Sequence, residues 1–171
     1  MTDYLLTEGV QFDHQYQHNQ TDSLLGTATQ GIPNLARFFQ FREDGIEETF
    51  NFTFVGEPGV FDSIGDGGSY SAYLFDLNGN IAGTKEASFI LNQQLENGDL
   101  LASVQETINL PEGQIFTQGT INATATEHLI PQSIPIVGGT SLYSGAFGIE
   151  TVRQLELGVL DVFDITLAFA A

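Results

Sequence analysis

The stretch EETFNFTFV, residues 47–55, puts Phe50, Phe52 and Phe54 on one face of an extended chain and Thr49, Asn51 and Thr53 on the other. This period of two, rather than the 3.6 of a helix, most constrains the fold, because a strand with one apolar face must bury it inside a sheet structure. The pattern recurs in SYSAYLF, EASFIL, LLASVQETINL, QIFTQGTINATA, FGIETVRQLEL and VLDVFDITLAF, separated by Gly, Asn, Asp and Pro. Seven or eight short strands are expected. DLNGN (76–80) and LENGD (95–99) supply Asn-Gly turns that accept the positive φ of tight hairpins, so the chain reads as a meander. Many short antiparallel strands in 171 residues leave a sandwich or a closed barrel. Residues 1–30, including the polar HQYQHNQTD, lack a period and read as an N-terminal extension ahead of a domain spanning 31–171. Within that domain GIPNLARFFQFREDG fits a short helix or an early strand.

Charge narrows the partners. Arg37, Arg42, Lys85 and Arg153 are the four basic residues, set against 22 acidic ones, for a formal net charge of −18. Nucleic acid and anionic membranes are excluded as partners, since each phosphate contact needs a cation that the chain lacks. A neutral, largely apolar ligand suits it. The chain has no cysteine, which removes disulfides and thiolate chemistry. MTDYLLTEGVQFD carries no basic segment and no long apolar run, so neither a signal peptide nor a membrane span is expected, and the location expected is cytoplasmic. NQT, NFT and NAT match the glycosylation pattern and, without a secretion signal, read as chance.

The glycine-rich stretch IPIVGGTSLYSGAFG, 134–148, is the most distinctive. No lysine follows Gly145 as a phosphate loop requires, and the segment runs on into a further strand pattern rather than a helix, so its glycines read as sheet corners. Together with VRQL and the closing FDITL, this stretch resembles the C-terminal signature of the allene oxide cyclase and dirigent barrel superfamily. LFDLNGNIAGTKEASFIL and GDLLASVQETINLPEGQIFTQG follow in that family's order, so the resemblance spans roughly 60–169. The LFDLNGNIAG and VQETINL segments look similar to the bacterial members that close rings in natural products. The resemblance implies a closed antiparallel eight-stranded β-barrel with a ligand cavity, no cofactor, and a homo-dimer or homo-trimer. It also implies a cyclase or isomerase acting on a small apolar or polyene-type ligand, or, as the alternative, a dirigent-like barrel that holds a reactive intermediate without changing bonds. The catalytic glutamate and asparagines that plant members carry near their first strands are assigned no counterpart in 1–55.

Glu106 stands among Leu100, Ala102, Val104, Ile108 and Leu110 on one strand face. Desolvation there is expected to raise its pKa and make it a general acid, unless a bulge turns it outward or Arg153 pairs with it. Arg153 is the second catalytic candidate, through a donor fork suited to a carboxylate or dicarbonyl, with pairing to a neighbouring acid as its plainer role. Asp161, among Val159, Phe163, Ile165 and Leu167, and the tyrosines Tyr73 and Tyr143 are ligand-binding candidates. No metal site is expected: DLNGN lacks the calcium-loop spacing, His14 and His18 read as a solvated tail, and His128 has no nearby partner in sequence. A third reading is a structural module with its barrel packed solid by phenylalanine.

Overall fold

The computed structural model describes residues 37–156 and 162–171. The expected extension 1–30, the boundary at 31, His14, His18 and Asp161 lie outside the described residues. Nine strands follow in order: β1 Arg37–Gly45, β2 Asn51–Thr53, β3 Gly67–Phe75, β4 Ile81–Gln94, β5 Leu100–Leu110, β6 Gly113–Asn122, β7 Gln132–Gly139, β8 Phe147–Gln154 and β9 Val162–Ala170. One five-residue helix, α1 Ala123–Glu127, interrupts them. Every pairing is antiparallel, and β1 joins both β9 and β3, so eight strands close into a barrel. Closure removes both sheet edges.

The ninth strand, β2, is short because the chain bends between β1 and β2. The run 47–55, expected to be one strand, begins with a 3-10 turn, Glu47–Thr49, and only Asn51–Thr53 pairs with Gly67–Ser69 of β3. β1 takes the other half of the same β3 edge, Ala72–Phe75. The segment RFFQFREDG, open between helix and strand in the sequence, is β1.

Both Asn-Gly turns are built alike. Gly79 (φ +80) and Gly98 (φ +94) hold the left-handed position while the preceding asparagines do not, and Gly79 N–H and Gly98 N–H donate to the carbonyls of Asp76 and Leu95. This is a three-residue hairpin loop with a glycine bulge, and the positive φ expected of the Asn-Gly pairs falls on the glycines. In the glycine-rich stretch the corner reading holds at Gly139, where a Cβ would lie 2.4 Å from the Tyr143 carbonyl oxygen and 2.6 Å from that of Gln114. Both obstacles are backbone and yield little. Gly139→Ala is therefore expected to cost about 1–3 kcal/mol in chemical denaturation; wild-type stability would show that this corner relaxes freely.

Alternation decides what enters the barrel. At the end bearing the β3–β4 and β5–β6 turns, Phe41, Leu74, Ile108, Ile115, Ile136, Leu167 and Phe169 form a dry plug. Tyr143, lowered into it by a 3-10 turn, meets Phe39 and Phe169 edge to face at 6.3 and 5.8 Å. The opposite half is not filled.

Candidate functional site

That open half holds a cavity of about 120 Å³. One wall is aromatic: Phe61 sits 5.2 Å from Phe52 and 5.1 Å from Phe89, centroid to centroid. Phe61 is brought there by the loop between β2 and β3, whose organiser is Asp66. This buried carboxylate accepts from the amides of Val55 (2.6 Å), Ser63 (2.8 Å) and Asp62 (3.1 Å), and those bonds, led by that from Val55, hold its pKa below the ordinary value. The rim opposite is α1, started by the Asn122 side chain accepting from Ala125 N–H at 2.9 Å, which presents Ala123, Thr126 and Glu127.

The floor, against the apolar plug, is polar. Lys85 from β4 is 1% exposed, and its ammonium contacts a carboxylate oxygen of Glu43 from β1 and lies 3.0 Å from Glu106 Oε1 of β5. Thr117 of β6 donates to Glu106 Oε2 at 2.8 Å, and the buried carboxyl of Glu150 from β8 lies beside Glu106. Tyr70 of β3 lies beside Glu43, and its ring centroid is 5.9 Å from the Lys85 nitrogen. Six strands thus contribute to a cluster with one cation and three carboxyls. Lys85, Tyr70 and Glu106 reach the cavity surface, with Glu43 and Glu150 packed behind.

The protonation pattern follows from competition between burial and charge. For Lys85, burial favours the neutral amine, but Glu106 and then Glu43 overcome it and hold the pKa well above the usual lysine value. Burial likewise works against the charged form of Glu106, and here too it loses: Lys85 first, then bonds from Glu150, Thr117 and Lys85, bring its pKa below the ordinary value. Glu150 goes the other way, pushed well up by burial and then by the Glu106 charge. Burial also raises Glu43, against the pull of Lys85. The cluster carries an ammonium, one firmly held carboxylate and two carboxyls biased toward the neutral form.

Of the residues singled out in the sequence, the structure brings Glu106 alone into this site. Its expected raised pKa is corrected to a lowered one, because Lys85 supplies the counter-charge, and the raised acids of the cluster are Glu150 and Glu43. Arg153 is on the outer face, where its guanidinium meets Asp164 at 2.5 Å with both side chains about half exposed; it neither pairs with Glu106 nor faces the cavity. Tyr73 is 41% exposed outside the barrel, opposite Asp44 and Thr84. Tyr143 belongs to the plug: it donates to Glu112 at 3.1 Å, and burial with that carboxylate pushes its pKa up to about 12. Lys85, Glu43, Glu150 and Tyr70 went unremarked, although each alternates with apolar residues in its strand. Among the described residues no group of His, Cys, Asp and Glu is arranged to hold a metal ion, and no helix is long and apolar enough to cross a membrane.

Residues 50–166 match the family model described as allene oxide cyclase barrel like domain. No curated protein matches the chain. Among solved structures, the Diels-Alderase AbmU from Streptomyces koyangensis superposes with TM-score 0.67 at 20% identity, covering 78% of this chain and 63% of its own; the chain therefore spans less than two thirds of AbmU. AbnU, described as an exo-specific intermolecular Diels-Alderase, gives 0.69 at 17% identity with 81% and 98% covered. The pterocarpan synthase dirigent protein GePTS1 gives 0.62 at 12% identity with 83% and 87% covered. At such identities these likenesses show the fold.

Proposed function

The chain belongs to the allene oxide cyclase barrel-like family, and from that premise we propose that it is a cyclase or isomerase that binds a flexible, largely apolar small molecule in the open half of its barrel and promotes ring closure without a cofactor. The observation that carries this reading is the half-filled barrel itself: an aromatic-walled cavity over a polar floor, in place of the solid phenylalanine core of a structural module. A cavity near 120 Å³ takes the reacting segment of a ligand rather than a long chain, whose remainder leaves past α1. Shape confines that segment to a reactive conformer, which removes much of the entropic barrier to ring closure.

The floor adds electrostatics. The contacts to Glu43 and Glu106 engage two of the three hydrogens on the Lys85 ammonium, leaving a donor for a substrate oxygen that gains charge as the ring closes. The high pKa of Lys85 suits it to donating, not to covalent attack. Glu106, bonded on both oxygens and a weakened base, holds Lys85 in place. The dirigent-like alternative uses the same cavity and is supported by the likeness to GePTS1.

Protein isolated from its native cells is expected to retain an apolar, oxygen-bearing small molecule visible by native mass spectrometry. Its acyclic precursor, added back, is expected to close faster than in buffer. Ala123→Trp, which fills the rim of the cavity, is expected to abolish both effects. Retention without any change in closure rate or outcome would remove the cyclase reading, and an altered product ratio at unchanged rate would favour the dirigent-like one.

A further inference from the structure

The cavity floor contains one cation and three carboxyls, and this imbalance bears on the chemical class of ligand. Lys85 is shared by Glu43 and Glu106, and the buried carboxyl of Glu150 lies beside Glu106. A ligand carboxylate entering here would bring a fourth acidic group to a single ammonium already divided between two partners. It would lose its water with no free counter-charge, and removing a carboxylate from water unpaired is among the costliest steps in binding. Arg37, Arg42 and Arg153 give no help: Arg37 lies over the Tyr143 ring at the plugged end, and Arg42 and Arg153 flank Asp164 on the outer face. At the rim the charged side chain is Glu127, another acid, and the net charge of −18 repels anions before they arrive. A carbonyl or hydroxyl accepts the spare Lys85 hydrogen without adding charge.

Taking the cavity as the ligand site, as in the function proposed above, we propose that it selects ligands whose buried end is an uncharged oxygen group, such as a ketone, ester, amide or alcohol, and rejects those that would bury a carboxylate. Cinnamamide and cinnamate, equal in shape and differing in charge, test this by isothermal titration at mildly alkaline pH. The amide is expected to bind at least about tenfold more tightly. Glu43→Gln, which frees part of Lys85 for a ligand anion, is expected to narrow that ratio several-fold, and Glu150→Gln, which removes an acid without disturbing the Lys85 contacts, serves as the second variant. Cinnamate binding as tightly as the amide, or a ratio unchanged in both variants, would overturn the proposal and leave the ring-closure reading standing. Failure of both probes to bind, or binding that survives Ala123→Trp, would remove the cavity as the ligand site and both readings with it.

Discussion

Lys85→Met is expected to lower stability by about 3–5 kcal/mol near neutral pH, the cost of leaving buried carboxylates without their counter-charge. In a domain of this size that is a fall in melting temperature on the order of 10 °C. The methionine fills the same space, so the loss reports charge. Its pH dependence fixes the cause. In the wild type the lowered pKa of Glu106 contributes stability above the unfolded-state value, lost as pH falls through the folded one. Without Lys85, burial outweighs the bond from Thr117, the pKa of Glu106 rises above the unfolded value, and the variant loses stability as pH climbs from about 5. The gap between the two proteins is therefore expected to be small near pH 5 and to widen toward pH 8. A gap that stays constant across that range would mean that the lysine stem, not its charge, supports the barrel.

Much of the barrel is legible in the sequence because burial on one face repeats every second residue. Phe41 and Glu43, Lys85 and Ala87, Val104 and Glu106, Glu150 and Val152 all follow that rule in the structure. Closure is not legible in this way, since a sandwich imposes the same alternation; it came from the family resemblance. The break after Gly45 escaped because Phe50, Phe52 and Phe54 keep their common side in forming the aromatic wall even though the strand lasts only three residues. The site was partly legible for a related reason. Glu106 stands out as an acid in an apolar row, yet Lys85 satisfies the same test in TKEASFIL. What no single strand reveals is that the two become neighbours on paired strands, with Glu43 and Glu150 arriving from β1 and β8 once the barrel closes. Arg153 drew attention as a rare cation, but it alternates with Thr151 and Leu155, opposite in parity to the buried Val152 and Gln154, and that parity places it outside.

Glu106→Gln and Glu150→Gln are the same change of side chain and conserve the same volume, yet their effects are expected to differ sharply. Glu106 accepts from Lys85 and from Thr117, and the carboxyl of Glu150 lies beside it. A glutamine there offers one acceptor oxygen and turns an NH₂ group toward donors, so at least one of them is left facing another donor and Lys85 loses a counter-charge; about 3–5 kcal/mol should be lost. Glu150 sits beside the Glu106 carboxylate with its pKa pushed well up by burial, and a glutamine there keeps the shape and can donate to Glu106, so Glu150→Gln should stay within about 1 kcal/mol near pH 5. Above that the sign reverses in the variant's favour. The folded pKa of Glu150 is raised, so its contribution is fully present below the unfolded-state value and is lost as pH rises toward the folded one. The wild type thus gives up as much as about 1.4 kcal/mol per pH unit at this group, while the variant, lacking it, does not. Melting curves from about pH 5 to pH 8 should show Glu150→Gln gaining steadily on the wild type. Equal losses in the two variants, or a larger loss for Glu150→Gln, would make Glu150 rather than Glu106 the firmly held carboxylate of the cavity floor.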